Sequence, residues 1–297
     1  MTERIIDISE KPAHLHYRND LLVIERENEP EVTVPLPEVA AVVVAHPRVT
    51  FTQSLLSGLA SAGGMLVTCD ERFLPAAMLL PLQGNFVQAE RMARQAKASL
   101  PTKKRVWQQI VRAKVAAQGG LLRRLHGSDL GLPKLALRVK SGDTGNIEAQ
   151  AAQRYWPMLF ADETFRRDFE KADQNRLLNY GYAVLRALTA RAICAAGLHP
   201  SLGLHHHNRY DTFCLADDLM EPFRPTVDAA VVEWVKSFGP GAELDRDAKG
   251  ALIGALTGGR MAIEGEERTL FDVLARAASS LDDVFAGTRK KLVLPTV

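Results

Sequence analysis

Several features that mark common protein classes are missing from this 297-residue chain. Its longest apolar runs, such as Ala40 to Ala45, are far shorter than the roughly 18 to 20 residues that span a bilayer, so we expect no membrane segment. The 3 cysteines, Cys69, Cys194 and Cys214, form no Cys-x-x-Cys pair of the kind found in zinc and redox sites. No Gly-rich loop ends in Gly-Lys-Ser or Gly-Lys-Thr, which argues against a P-loop nucleotide site.

A secretory signal pattern is also absent from the first residues. Met-Thr-Glu-Arg is followed at once by Ile5, Ile6 and Asp7, without a basic segment leading into an apolar one. We therefore expect a cytoplasmic protein with reduced cysteines. Its length and its 46% hydrophobic content are sufficient for two domains, each with its own core.

Acidic residues are scarce in one segment. Residues 91 to 140 contain 13 Lys and Arg side chains and a single acid, Asp129, although the whole chain has a net charge of only +2. The segments on either side are both net acidic. Charge is therefore segregated along the chain.

The chain changes its pattern near residues 81 to 90. Before this stretch, short runs rich in Val, Ile and Leu alternate with turn residues, which predicts strands with one short helix at Ser54 to Ala62. After it, helical spacing dominates. We predict an α+β protein with a small, mostly β domain at residues 1–85 and a larger all-α domain at residues 86–297.

Helical patterns recur through the second domain. They cover residues 88–122, 147–169, 176–196, 216–238, 247–257 and 268–286. The Gly- and Ser-containing stretch from Gly127 to Gly145 resembles a linker, and we expect it to be mobile.

The basic segment predicts contact with a polyanion. Its predicted helices carry Arg91, Arg94, Lys97, Lys103, Lys104, Arg105, Arg112, Lys114, Arg123 and Arg124. Because these charges repel one another, DNA or RNA is their natural counterion. The alternative is a solvated face that pairs with the acidic first domain or with another subunit. Trp107 is the only aromatic ring among the basic residues, which favours duplex backbone contact over stacking on single strands.

Three other stretches combine acidic and histidine residues. In Gly-Asn-Ile-Glu, Asn146 is expected to cap a helix whose first turn holds Glu148, a position that also suits a carboxylate that merely favours the helix dipole. The loop after Pro200 contains His205, His206 and His207. These are either a solvated loop, a zinc site with Cys214, or a loop in which one histidine binds a metal.

The third stretch surrounds two carboxylates. Asp218 and Glu221 are three residues apart and share a helix face, while Leu219, Met220 and Phe223 can pack inward. Such a face is either simply solvated or a supported set of oxygen ligands for a hard cation.

The same stretches carry a family resemblance. The sequence "LADDLMEPFRP" at 215–225, following the loop from Gly203, resembles the integrase subunit of CRISPR adaptation modules. "VPLPEVAAVVV" at 34–44, the Gly-Asn pair at 84–85 and "GNIEAQAAQRYW" at 145–156 resemble its other motifs, so that the likeness covers essentially the full chain. Glu at position 221 and the His-His-x-Asn sequence look most like the type II branch.

The resemblance implies a metal site and its ligands. Glu148, His206 and Glu221 match the family's Glu, His and Asp or Glu ligands, which would hold Mg²⁺ or Mn²⁺, and Asp218 would assist catalysis. The first domain would then serve dimerisation, and the second would bind DNA and catalyse.

The implied activity is insertion of protospacer DNA into a CRISPR array by a metal-dependent endonuclease and integrase. A DNA 3′-hydroxyl would attack a phosphodiester, a transesterification that needs no ATP. The implied partners are duplex DNA from protospacer and repeat, a second copy of the chain, a small ferredoxin-like adaptation subunit, and an effector nuclease. Two other hypotheses are a noncatalytic scaffold for DNA ends and a general structure-specific DNA nuclease.

Overall fold

The computed structural model describes residues 3–70, 75–81 and 85–296. The chain separates into two compact units, Met1–Gln88 and Ala89–Val297. The first is rich in strands and the second in helices, which confirms the predicted α+β class. Gly84 of the Gly-Asn pair lies outside the described residues.

In its described residues, the first unit contains two four-stranded sheets and one α-helix. In chain order its elements are β1 (Arg4–Ile8), β2 (Ala13–Arg18), β3 (Leu21–Glu25), β4 (Val32–Pro35), β5 (Val39–Val44), β6 (Val49–Phe51), α1 (Gln53–Ser61), β7 (Met65–Cys69) and β8 (Pro75–Leu79).

The sheets have the orders β1-β5-β7-β8 and β4-β3-β2-β6. In the first, β5 lies parallel to both β1 and β7. Every residue of β5 is buried, as expected for an apolar strand inside a parallel arrangement. Thr52 caps α1 by accepting a hydrogen bond from the Leu55 amide, and the helix stops before Gly63, whose φ is 76°.

The second unit is built mainly from helices. Its elements are α2 (Gln88–Lys97), α3 (Leu100–His126), α4 (Leu132–Ala136), α5 (Ile147–Leu159), α6 (Gln174–Ala195), α7 (Cys214–Met220), α8 (Arg224–Phe238), α9 (Arg246–Gly258), β9 (Arg260–Ile263), β10 (Glu266–Thr269) and α10 (Leu270–Ala286).

Two long helical patterns are interrupted in the structure. The predicted helix at residues 88–122 breaks before Ser99, which caps α3 by accepting from the Thr102 amide, and Pro101 fits the first turn because its missing N–H needs no partner there. The pattern at 216–238 breaks at a 3₁₀ turn, Glu221–Phe223, between α7 and α8. This break sets Glu221 at a turn between two helices.

Three expectations for this unit need correction. The stretch from 127 to 145 is not a bare linker, because it contains α4 and buries Leu132, Leu135 and Val139. α5 ends at Leu159, ten residues before the predicted end at residue 169. The hairpin of β9 and β10 was missed; its turn at Glu264 and Gly265 has two positive φ angles, a combination typical of tight hairpin turns.

Among the described residues, no helix has both the length and the apolar character needed to cross a membrane.

Candidate metal and DNA site

Glu148 lies in the first turn of α5. The start of this helix is held by Asp143, whose two carboxylate oxygens accept hydrogen bonds from the amides of Ile147 (3.0 Å) and Glu148 (2.9 Å). Asn146 occupies the N-cap position with a φ of 50°, but its side chain makes no cap hydrogen bond. The prediction that Asn146 caps the helix is therefore wrong in its side-chain detail, and Asp143 does this work instead.

Glu221 comes from the turn between α7 and α8, and only 5% of its side chain is exposed. Its Oε1 lies 3.0 Å from Nε of Arg224. Its Oε2 lies 2.5 Å from Nζ of Lys114 on α3, in an ion pair without a well-aligned hydrogen bond. The two oxygens of this buried carboxylate therefore face two different cations.

Lys114 joins the two predicted carboxylate ligands. Its Nζ lies 2.6 Å from Oε1 of Glu148 and 2.5 Å from Oε2 of Glu221. Burial lowers the pKa of Lys114, but the two carboxylates more than compensate and raise it above its ordinary value. Burial likewise raises the pKa of Glu221, while Arg224 and Lys114 reverse this and lower it. Lys114 and Glu221 are therefore both charged at neutral pH.

The histidine loop is held by Asp218, which is completely buried. Its carboxylate accepts hydrogen bonds from the amides of Leu204 (2.6 Å), His205 (3.0 Å) and His206 (3.2 Å), and Oδ1 lies 2.7 Å from Nδ1 of His206. The structure thus places Asp218 as the anchor of the loop.

Gly203 allows the loop to pass close to α7. A Cβ at this position would overlap the carbonyl oxygen of His206 and would lie 2.9 Å from Cβ of Cys214. No larger residue fits here without moving the loop. The spacing of Gly203 and His206 in the sequence therefore has a steric reason.

The three adjacent histidines have different surroundings. The His205 ring stacks on Trp107 of α3, with parallel planes and centroids 4.4 Å apart, while the His206 ring meets the same indole edge-on at 5.7 Å. Because Asp218 is an acceptor, the neutral His206 ring keeps its proton on Nδ1, which leaves the lone pair on Nε2. This bond with Asp218 also raises the pKa of His206. A carboxylate that orients a histidine in this way is typical of metal-binding histidines.

The arrangement suits a cation but does not show a complete ligand set. Within the described part of the chain, no three His, Cys, Asp or Glu side chains converge closely enough to hold a metal ion. Glu148 and Glu221 nevertheless converge on one cation, the ammonium of Lys114. Two carboxylates and an imidazole are donors that suit Mn²⁺ or Mg²⁺, so the chemistry of these residues fits such an ion.

A buried hydrogen-bond network connects the helices that position Glu148 and Glu221. Asp228 of α8 accepts a hydrogen bond from Tyr155 of α5 (2.6 Å) and another from Tyr182 of α6. The guanidinium of Arg224 lies over the Tyr182 ring, 4.6 Å from its centroid. Since α5 carries Glu148 and α8 follows Glu221, the network fixes the elements that carry the two carboxylates relative to each other.

The predicted DNA-binding residues differ in exposure and in their ion pairs. Arg91 and Arg94 form ion pairs with Asp282, Arg94 also pairs with Glu90, and Lys114 is engaged by the site carboxylates. Lys103 is half-buried. The exposed members are Lys97, Lys104, Arg105 and Arg112, together with Arg123 and Arg124.

Further exposed basic residues lie between α3 and α5. Lys134, Arg138 and Lys140 belong to the stretch that the sequence pattern indicated as a linker. Arg112 donates hydrogen bonds to the carbonyls of Leu137 (3.3 Å) and Val139 (2.9 Å), which holds this segment against α3. The exposed positive surface of the second unit therefore includes this segment as well as α3.

Several residues of the site carried no separate signal in the sequence. Lys114 stood out only as one of many basic residues, and Trp107 only as an isolated ring. A buried cation on a helix facing two carboxylates can be recognised only when the three elements are packed together. Arg224 lies within the motif at 215–225, three residues after Glu221. This spacing within one helical turn was the one indication in the sequence of the ion pair between them.

The chain is similar to known proteins in its sequence and in its fold. The family model described as "CRISPR associated protein Cas1" matches residues 6–238. A CRISPR-associated endonuclease Cas1 from Neisseria meningitidis serogroup C (strain 8013) is 38% identical over 284 residues, which cover 94% of this chain and 91% of the relative.

Solved structures share the fold. A casposase bound to an integration product has a TM-score of 0.82 at 18% identity and covers 98% of this chain and 92% of its own. A chain of a Cas6-RT-Cas1–Cas2 complex has a TM-score of 0.74 at 16% identity, covering 99% of this chain and 36% of its own.

Proposed function

Because the chain belongs to the Cas1 family of CRISPR-associated proteins, we propose that it is a metal-dependent DNA endonuclease and integrase that inserts protospacer DNA into a CRISPR array. One observation carries this proposal beyond the family name. Glu148 and Glu221, from separate elements, converge on a single cation. His206, on the loop that precedes α7, is oriented by Asp218.

The three proposed ligands are held by different supports. Asp143 fixes the turn that carries Glu148, Arg224 holds one oxygen of Glu221, and Asp218 orients the ring of His206. A divalent ion bound by these side chains would supply Lewis acidity, lowering the pKa of a 3′-hydroxyl and stabilising charge on the attacked phosphate. Preorganised supports of this kind keep ligands in a productive geometry.

The exposed basic residues would position the DNA. Lys97, Lys104, Arg105 and Arg112 are exposed on α2 and α3, and Lys134, Arg138 and Lys140 extend the positive surface. Contacts with phosphates position a duplex without reading its sequence. This suits an enzyme whose DNA ends vary in sequence.

The assembly that we propose contains more than this chain. One structural neighbour is a chain of a Cas6-RT-Cas1–Cas2 complex, and another is a casposase bound to an integration product. For this chain we propose a homodimer, formed through the first domain, that joins a small ferredoxin-like adaptation subunit and holds duplex DNA. An effector nuclease would be a further partner.

The products formed from labelled DNA test the proposed activity. The purified chain and its small partner subunit are incubated with a protospacer that carries labelled 3′ ends, a plasmid that contains a repeat, and Mn²⁺. We expect the label to become covalently joined to the plasmid, and we expect EDTA to abolish joining.

The other hypotheses give different products. Hydrolysed DNA without joining would identify a structure-specific nuclease, and joining or cleavage that persists in EDTA would contradict the metal-dependent mechanism. Binding of DNA ends without any metal-dependent product would indicate a noncatalytic scaffold.

A further inference from the structure

Lys114 occupies the position between the two proposed carboxylate ligands. Its ammonium lies 2.6 Å from Oε1 of Glu148 and 2.5 Å from Oε2 of Glu221. Only 14% of the Lys114 side chain and 5% of the Glu221 side chain are exposed, so water contributes little to the solvation of these charges. An internal cation therefore neutralises the site.

We propose that Lys114 is a tethered counterion that preassembles the metal site and must withdraw when a divalent ion binds. This inference rests on the proposed function, because it takes Glu148 and Glu221 to be metal ligands. In the proposed order of events, the ammonium first holds the carboxylates together in the metal-free protein, and the incoming ion then takes its place.

The two oxygens of Glu221 have separate partners. Oε1 lies 3.0 Å from Nε of Arg224, and Oε2 faces Lys114. When Lys114 withdraws, Arg224 still neutralises part of the charge, and Oε2 becomes available to an ion. Glu221 can therefore change from one cation to another without leaving its turn.

The ammonium and a metal ion cannot share this position. Mg²⁺ needs carboxylate oxygens at about 2.0 to 2.1 Å, whereas the ammonium already lies in contact with one oxygen of each carboxylate. Positive charges at such short separation also repel strongly. The flexible stem of Lys114 allows its ammonium to move away while α3 stays in place.

The same arrangement accounts for the incomplete ligand set. The carboxylates of Glu148 and Glu221 are drawn onto Lys114, while His206 is bound to Asp218, and no three ligating side chains converge among the described residues. Withdrawal of Lys114 would free the carboxylates to meet an ion together with the imidazole.

Mn²⁺ binding without DNA tests the proposal. The Mn²⁺ affinities of the full chain, Lys114→Met, Lys114→Arg and the control Lys236→Met are measured by electron paramagnetic resonance of free Mn²⁺. Lys236 is an exposed lysine of α8 that pairs with Glu233. We expect Lys114→Met to bind Mn²⁺ at least about tenfold more tightly than the wild type, because a competing positive charge is removed. Lys114→Arg keeps the charge and should not gain affinity, and Lys236→Met should match the wild type.

Thermal unfolding gives a second measurement on the same proteins. Without Mn²⁺, Lys114→Met should unfold at a lower temperature than the wild type, because the buried Glu221 and the half-buried Glu148 lose their shared partner. At saturating Mn²⁺ this difference should close, since the ion replaces the ammonium. If Lys114→Met is unfolded in the absence of metal, Mn²⁺ should restore its folding.

The possible outcomes separate this inference from the proposed function. Equal Mn²⁺ affinity of wild type and Lys114→Met, or a loss of stability that Mn²⁺ does not repair, would show that Lys114 has only a structural role. If Mn²⁺ affinity is equal in those two proteins but Glu221→Gln no longer binds Mn²⁺, the proposed metal site still stands without the proposed role of Lys114. If neither the wild type nor Lys114→Met binds Mn²⁺, both the proposed metal site and the role of Lys114 are overturned.

Discussion

The substitution Asp228→Asn is expected to change how the stability of the second unit depends on pH. Asp228 is 1% exposed and accepts hydrogen bonds from Tyr155 and Tyr182. Burial raises the pKa of this carboxyl from 3.8 to about 6, although the two phenol hydroxyls act in the opposite direction. Asparagine has nearly the same shape as aspartate and its side chain does not titrate.

The sign and size of the effect follow from proton binding. Between about pH 4 and pH 6 the folded protein keeps a proton on Asp228 that the unfolded chain has released. The free energy of unfolding therefore contains a contribution that is present at low pH and is lost as the pH rises through the folded pKa. At about 1.4 kcal/mol per pH unit, the difference between the two pKa values corresponds to about 3 kcal/mol.

Urea unfolding from pH 3.5 to 7.5 measures this contribution. Trp107, Trp156 and Trp234 all lie in the second unit, so tryptophan fluorescence follows that unit. The stability of the wild type minus that of Asp228→Asn should fall by about 3 kcal/mol across this range. Asp247→Asn, at an exposed position on α9, is the control. A difference between wild type and Asp228→Asn that does not vary with pH would refute the reasoning.

Three further substitutions test the loop and the DNA surface. Gly203→Ala should displace the loop at His206, lowering the free energy of unfolding by about 1 to 3 kcal/mol in urea and abolishing joining; normal joining would contradict the steric role. Asp218→Asn replaces one of the two accepting oxygens with an NH2 group, so that N–H donors of the loop lose an acceptor. We expect a loss of about 2 to 3 kcal/mol in the same assay with DNA binding retained, and an unchanged stability would refute this. Lys104→Ala should reduce the salt slope of duplex binding, measured by fluorescence anisotropy, by about 0.9, whereas the internally paired Arg94→Ala should change it less; equal slopes would argue against a phosphate contact.

The broad organisation of the chain was predictable because it depends on local patterns. The fully apolar run of β5 predicts a buried strand, and Gly63 marks the end of α1. The division into a strand-rich and a helical unit follows from such periodicities. The hairpin of β9 and β10 was missed because its strands have only four residues each.

The site was predictable only in part because its contacts join distant segments. Glu148, His206 and Glu221 were predicted as ligands from motifs, each of which lies within a short stretch of sequence. Lys114 and Trp107 lie on α3, outside those motifs. Their contacts form only when α3 packs against the segments that contain the motifs. Non-local ion pairs of this kind leave no periodic trace in the sequence.

The role of the proposed ligands in strand joining is the central claim. Wild type, His206→Ala, Glu221→Gln and the exposed control Glu233→Gln are assayed with the partner subunit, Mn²⁺, labelled protospacer ends and a plasmid that contains a repeat. DNA binding is measured on the same samples. We predict that His206→Ala and Glu221→Gln lose joining by about a hundredfold or more while binding DNA almost as the wild type does, and that Glu233→Gln joins normally. Joining that survives both ligand substitutions would contradict the assignment of the active site.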